Sequence, residues 1–294
     1  MIECVPNVSE GRRQELIDRV AHAVRSVPGV FLLDYSADPA HNRSVFTFVG
    51  DAAALERAVL SLYEEALSTI DLRAHRGVHP RLGAVDVVPF IPLEGATMAE
   101  CVSLATRVAR TVAERFQLPV YLYEQAATSP DRRSLSAIRQ GGFEKLADRM
   151  AAGFLPDFGP RSPHTTAGAS VVGARVPLVA FNVNLSTNRL DLADAIARAV
   201  RESSGGLPFV KAMGLPLADR SIVQVSMNLT NVQQTPIRRA FDEVARQAAR
   251  QGVDVLESEI VGLAPAAALD EATAAAIRLR GDWRERILER RIPA

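Results

Sequence analysis

Cysteine is nearly absent from this 294-residue chain: Cys4 and Cys101 stand far apart and no CxxC pair occurs. A disulfide framework and a cysteine-built zinc site are thereby excluded, and a reducing compartment fits best. An excess of charge is absent too, since 34 Lys and Arg balance 34 Asp and Glu. Without a broad basic face, neither nucleic acid nor an anionic membrane is an expected partner. No run approaches the roughly 20 apolar residues that a membrane-crossing helix needs. The opening Met1-Ile2-Glu3-Cys4-Val5-Pro6 lacks the basic, apolar and small-residue succession of a secretory signal. A cytoplasmic protein is the expectation. The phosphate-binding patterns GxGxxG and GxxxxGK(S/T) and the nucleophile elbow GxSxG are missing as well, which removes the simplest nucleotide-binding and serine-hydrolase readings.

What is present is length enough for two domains, each able to bury its own core. Short β-rich runs alternate with longer helical ones. Strands are expected at 4–8, 30–35, 43–49, 85–91 and 120–123, and helices at 10–27, 51–69 and 98–116. Asp51 is placed to cap the second helix. The order is β-α-β-β-α-β with an extra helix and strand. In the second half, strands at 178–185, 222–228 and 253–261 alternate with helices at 190–202 and 236–251. An internal duplication is also visible. Asn7-Val8-Ser9 reappears as Asn184-Leu185-Ser186, and Arg43-Ser44 as Arg220-Ser221, each 177 positions later. The expected fold is therefore α/β of the α+β kind. Two similar ferredoxin-like sandwich subdomains, 1–174 and 175–294, would each carry helices on one face of a mainly antiparallel sheet, with a cleft between them. The stretch 157–168, crowded with Pro, Gly, Ser and Thr, is too long for an idle turn and is a binding-loop candidate.

The densest polar segment runs from His75 through Gly77, His79, Pro80, Arg81 and Asp86 to Pro92. Two histidines at i, i+4 could hold zinc on a helix, but Gly77 and Pro80 discourage a helix there and Glu is missing between them. No metal is expected. A loop histidine ahead of a strand suits proton transfer, because imidazole titrates near neutral pH. From composition alone, His79 stands equally well as an acid-base group or as the holder of its turn. His75 reads as structural or electrostatic. Arg43 could pair a substrate carboxylate or sit in a surface ion pair. Asn182 and Asn184 share one face of a strand, which suits a wet cleft or a solvent face.

These segments carry a family resemblance. Glu3-Cys4-Val5-Pro6-Asn7-Val8-Ser9-Glu10-Gly11, Asn42-Arg43-Ser44-Val45, His79-Pro80-Arg81-Leu82-Gly83-Ala84, Asp86-Val87-Val88-Pro89-Phe90-Ile91-Pro92, Pro156-Asp157-Phe158-Gly159-Pro160 and Ala180-Phe181-Asn182-Val183-Asn184-Leu185 occur in order. They resemble the glutamate formimidoyltransferases, the transferase part of formiminotransferase-cyclodeaminase. That likeness implies two α/β subdomains and folate-dependent transfer of a formimino group from N-formimino-L-glutamate to tetrahydrofolate in histidine degradation. Tetrahydrofolate is then a co-substrate, and a homodimer is the assembly. The resemblance makes His79 the catalytic residue. It makes Gly159, Pro160, Arg161, Ser162, Pro163, His164, Thr165, Thr166, Ala167 and Gly168 the folate-binding segment. Asn7, Arg43, Arg175 and Asn184 are the substrate-binding candidates, the two arginines for carboxylates. Val78 stands where the family carries an acidic residue, and His164 and Ala167 where apolar or aromatic residues occur. The likeness covers no cyclodeaminase domain, so the product is expected to pass to a separate enzyme. A glutamate formyltransferase using 5-formyltetrahydrofolate, and a folate-binding protein without turnover, are the alternative readings.

Overall fold

A computed structural model describes every residue except Ala40, Val78, His79, Ala218, Asp219 and Ala294. His79 and Val78 therefore lie outside the described residues. The chain forms two compact units, Met1–Arg175 and Val176–Ala294.

The first unit begins with β1 (Ile2–Cys4) and β2 (Asn7–Val8), followed by α1 (Gln14–Arg25), β3 (Val30–Asp38), β4 (Arg43–Gly50), α2 (Ala52–Thr69) and β5 (Val85–Pro92). α3 (Met98–Phe116), β6 (Val120–Glu124), α4 (Leu135–Ile138), α5 (Leu146–Ala151) and β7 (Ser170–Ala174) complete it. The expected strand at 4–8 is broken in two because Pro6 has no amide to give the ladder. The first helix starts later than its periodicity predicts. Glu10 turns its carboxylate onto the amides of Arg12 (2.8 Å) and Arg13 (3.0 Å), which holds 10–13 as a loop. Local capping fixes the other starts. Asp51 accepts from the Ala54 amide at 2.8 Å, and Thr97 and Glu100 form a reciprocal capping box.

Across the sheet the order is β3-β4-(β1, β2)-β5-β7-β6. Its first five strands form an antiparallel β-α-β-β-α-β core, but β7 pairs parallel with both β5 and β6. The helices α1, α2 and α3 cover one face, where Phe46, Phe48, Val88, Phe90 and Val172 meet Leu55, Leu62, Leu104 and Val108. The expectation of helices on a single face needs correction. The segment bearing α4 and α5 folds over the parallel edge of the other face and buries Val87, Tyr121, Tyr123 and Val171 beneath Ile138, Leu146 and Met150.

The second unit carries β8 (Val179–Leu185), α6 (Leu190–Val200), β9 (Val210–Leu217), β10 (Ile222–Leu229), α7 (Ile237–Arg250), β11 (Val255–Val261) and α8 (Glu271–Ala276). Its antiparallel order, β11-β8-β10-β9, repeats that of the first core. Asn7 and Asn184 occupy the corresponding first strands, whereas Arg43 opens β4 and Arg220 stands two residues ahead of β10. β9 escapes the sequence pattern because Gly214 and Pro216 interrupt it. As an edge strand it tolerates the proline, and Gly214 lets α6 approach to where a Cβ would lie 2.7 Å from the Asp194 amide.

One buried polar contact ties α2 to β7: the Tyr63 hydroxyl lies 2.5 Å from Ser170 Oγ, with both residues fully buried. Removing one partner strands the other. Ser170→Ala should cost about 1–3 kcal/mol, and combining it with Tyr63→Phe should cost less than the two singles summed. Denaturant unfolding of the four proteins checks this, and strict additivity would refute the coupling.

Candidate active site

Four segments meet at one end of the first sheet. Ser9, just past β2, donates its hydroxyl to the Gly83 carbonyl (2.7 Å) and its amide to the Ala84 carbonyl (2.8 Å). Asn42 has a left-handed backbone (φ 50°), a conformation that asparagine tolerates. Its side chain accepts from the Gly11 amide (2.9 Å) and donates to the Arg76 carbonyl (3.0 Å). His75 Nε2 donates to the Asn42 carbonyl at 2.9 Å. The segment containing Leu82 to Ala84 is then laced to the candidate folate segment. Ala84 N reaches the Ala167 carbonyl (3.0 Å), Ala169 N the Leu82 carbonyl (3.1 Å) and Leu72 N the Thr166 carbonyl (2.8 Å). The structure thus joins the turn that follows His79 in sequence to residues 164–169. Close backbone approach demands glycine on both sides. A Cβ on Gly83 would lie 2.0 Å from the Ala169 carbonyl oxygen, and one on Gly168 (φ 69°) 2.2 Å from that of Leu82.

Beneath this lacework sits Asp86, 1% exposed in its side chain. A bulge opposite Asn7 and Val8 places Asp86 on the sheet face away from α1 to α3. One carboxylate oxygen accepts from the amides of Leu82 (2.7 Å) and Gly83 (3.4 Å), and the other binds the Arg139 guanidinium. Arg139 comes from the end of α4, whose last carbonyls are clamped by Arg149.

Residues 159–168 form a pinned loop. Asp157 anchors its entry by accepting from the Leu122 amide (2.8 Å) and pairing with Arg132 (2.6 Å). His164 and Gly168 exchange backbone hydrogen bonds at 2.8 and 2.9 Å. His164 Nδ1 accepts from the Ala167 amide (3.1 Å), which assigns its proton to Nε2, and Ala167 is buried in the main core. These two departures from the family pattern therefore have local work as a turn cap and a core contact. Arg161, Ser162 and Thr165 are exposed.

The other candidates are dispersed. Asn7 lies between Val45 and Val87 and donates to the Val5 carbonyl (3.1 Å). Arg43 shares its surroundings with Asp86. Burial pushes its guanidinium down to about 10, Arg139 adds to that, and Asp86 and Asp38 oppose it. Arg175 follows β7 beside Tyr123, at the opposite end of the strands. By strand register its backbone is roughly 20 Å from the level of Arg43. Asn184, in the second unit, is fully buried. It donates to Glu257 (3.0 Å) and accepts from Gln224 (2.9 Å), while Asn182 donates to Glu259 (3.1 Å). Its face of the sheet carries an amide-carboxylate network that Arg220 joins from the surface, pairing with Glu257 at 2.6 Å. Glu10 and His75 are electrostatically shaped. Burial opposes ionisation of Glu10 but is outweighed by the amides of Arg13 and Arg12 and the Arg13 guanidinium, so its pKa falls below the usual value. Burial, with Arg81 and Arg12 nearby, pushes His75 below 6.5 against its hydrogen bond to Asn42.

Residues 1–175 match the family described as formiminotransferase domain, N-terminal subdomain, and residues 180–282 the one described as formiminotransferase domain. The chain belongs to the formiminotransferase family. It is 44% identical to the glutamate formimidoyltransferase of Streptococcus pyogenes serotype M1 over 98% of this chain and 97% of that one. With the glutamate formimidoyltransferase of Thermoplasma acidophilum it shares 46% identity over 99% and 97%. The formimidoyltransferase-cyclodeaminase of Rattus norvegicus is 42% identical over 93% of this chain and 52% of its own length. Among the described residues of this formiminotransferase no helix is long and apolar enough to cross a membrane, and no group of three or more His, Cys, Asp or Glu could hold a metal ion.

Sequence reasoning passed over the anchoring role of Asp86 and missed Arg139 altogether. An Asp inside Val85-Asp86-Val87-Val88 was itself a signal, because a charge in an apolar strand requires a partner. Nothing local marks which arginine supplies it.

Two predictions follow from this packing. Gly83→Ala must displace backbone, so it should cost about 1–3 kcal/mol or more and lower turnover by about 100-fold; wild-type kinetics in a folded variant would contradict the lacework. Neutral His75 is favoured by folding, so its contribution is complete above about 6.5 and is lost as pH falls below that value, where the unfolded chain binds the extra proton. The stability advantage of wild type over His75→Gln should accordingly shrink between about pH 7.5 and about pH 5.5. Parallel pH-stability curves would argue against it.

Proposed function

We propose that the chain is a glutamate formimidoyltransferase, moving the formimino group of N-formimino-L-glutamate to tetrahydrofolate in histidine degradation. The observation that carries this reading is the identity of 44–46% with two glutamate formimidoyltransferases across 97% of their lengths. The lacing of the segment after His79 to residues 164–169 supports it, since a proton-transfer group and a folate loop must share one locale.

In the proposed reaction N5 of tetrahydrofolate attacks the formimino carbon, forming a C–N5 bond and a tetrahedral intermediate. His79 takes the N5 proton and returns it to the glutamate nitrogen, and the old C–N bond breaks to release glutamate. Residues Gly159 to Gly168 hold the folate, with the exposed Arg161, Ser162 and Thr165 offering polar groups. Arg43 takes a donor carboxylate at the loop end of the sheet. Arg175 serves a separate anionic group at the far end, with Asn7 as a polar contact. The units Met1–Arg175 and Val176–Ala294 act as the two formiminotransferase subdomains, in a cytoplasmic homodimer.

A spectrophotometric assay with N-formimino-L-glutamate and tetrahydrofolate tests the reading, with 5-formyltetrahydrofolate and glutamate as the rival pair. Formimino transfer should dominate. His79→Ala should lose about 10²–10⁴ in turnover while keeping its folate affinity by calorimetry. Unchanged turnover would remove His79 from proton transfer, and folate binding without turnover in wild type would overturn the enzyme.

A further inference from the structure

The loop of residues 159–168 is held at its two ends by separate sets of contacts, and one of them is built around a buried ion pair. At the exit the contacts are backbone bonds: His164 with Gly168, Ala167 with Ala84, and Ala169 with Leu82. At the entry the anchor is a side chain. Asp157, 7% exposed in its side chain, accepts from the Leu122 amide (2.8 Å) and the Thr128 hydroxyl (2.5 Å) and pairs with Arg132 (2.6 Å). Arg132 is itself fixed. Its other terminal nitrogen donates to the Leu155 carbonyl at 2.5 Å, and its guanidinium lies 5.6 and 5.7 Å from the ring centres of Tyr121 and Phe154, which stack at 4.8 Å. Beyond Asp157 the chain stays tied to the sheet edge. The Val120 amide donates to the Phe158 carbonyl at 2.9 Å, and a Cβ on Gly159 (φ 89°) would lie 2.5 Å from the Leu118 carbonyl oxygen.

A buried ion pair adds little net stability, because desolvating both charges offsets much of their attraction. What it does impose is geometry, since both charges are satisfied in one arrangement only. Here that arrangement fixes the approach to the tip Pro160-Arg161-Ser162-Pro163, where two prolines of set φ flank the exposed Arg161 and Ser162. A loop already held in its binding shape avoids the cost of being ordered when the ligand arrives. We propose that Asp157 and Arg132 are positioning residues that set the affinity for tetrahydrofolate: their ion pair preorganises the 159–168 loop and acts on folate binding alone. The inference rests on the folate reading of that loop given above and deepens it. Neither residue touches the folate in this view; the tip does. Separation from proton transfer follows from the exit contacts. The Leu82–Ala84 segment is tied to Ala167, Ala169 and Asp86, and neither Asp157 nor Arg132 contributes to those bonds.

Steady-state kinetics with each substrate varied in turn, together with calorimetric titration of tetrahydrofolate, compare wild type with Asp157→Asn and Arg132→Gln. Loss of the charge-assisted contact should raise KM and Kd for tetrahydrofolate by about 10- to 100-fold, while KM for N-formimino-L-glutamate and kcat stay within about 3-fold. Because the two residues act as one unit, the double variant should bind folate no more than about 3-fold more weakly than the worse single. Arg132→Lys keeps the charge and loses the fork, so it should fall between wild type and Arg132→Gln. A pair that serves stability alone would lower Tm and leave both substrate affinities as they are. An unchanged tetrahydrofolate Kd in the folded variants, or equal rises in KM for both substrates, therefore overturns the assignment. If Asp157→Asn and Arg132→Gln do not fold by circular dichroism, Thr128→Val decides, because it removes only one exposed hydroxyl contact to Asp157. It should raise the tetrahydrofolate Kd by about 3-fold or more, and a Kd equal to wild type refutes. Wild type that binds tetrahydrofolate but transfers no formimino group overturns the transfer reading, and the anchor then stands on the weakened Kd of its variants. Wild type that binds no tetrahydrofolate overturns the anchor.

Discussion

A carboxylate inside a strand is the constraint around which the first unit is arranged. Asp86 has only 1% of its side chain exposed, and an isolated ionised carboxylate in such surroundings would be strongly destabilising. Its two oxygens are therefore committed, one to the amides of Leu82 and Gly83 and one to Arg139. Everything near the candidate active site follows from those commitments. The turn is fixed in height over the sheet, and Gly83 can approach Ala169 only because it lacks a side chain. The loop containing His164 and Gly168 is pinned in turn, and α4 is drawn across the sheet to deliver its arginine. Replacing the carboxylate would release three segments at once.

The two units show how one architecture carries different surfaces. Their β-α-β-β-α-β cores share strand order, and Asn7 and Asn184 lie in the corresponding first strands. In the first unit the face away from the main helices carries Asp86 paired with Arg139. In the second it carries Asn182, Asn184 and Gln224 in a network with Glu257 and Glu259, and Arg220 pairs with Glu257.

Elements governed by local chemistry were legible in the sequence. α2 and α3 begin where Asp51 and the Thr97–Glu100 box can cap them, and their apolar periodicity is uninterrupted. The strand interruption at Pro6 and the delayed start of α1 have local causes too, but a periodic pattern averages over them. β7 is five residues long and ends in Gly173-Ala174, and β9 contains Gly214 and Pro216, so both are held by their neighbours and not by their own pattern. The site divides similarly. The motif segments announced themselves, whereas the contact between Asp86 and Arg139 spans 53 positions and depends on a fold-over segment with no signature. Arg43 and Arg175, alike on paper, are parted by strand register.

The account joins an activity to this scaffold, so the most direct test follows the transferred carbon itself. N-formimino-L-glutamate labelled with ¹³C at the formimino carbon would be mixed with tetrahydrofolate and excess protein, and the label followed by NMR in wild type and in Asp86→Ala verified as folded. Wild type should move the label to tetrahydrofolate with one glutamate released for each transfer, and Asp86→Ala should do so about 100-fold more slowly because its turn is no longer held in place. Label remaining on glutamate in wild type, or equal rates in the two proteins, would contradict the account.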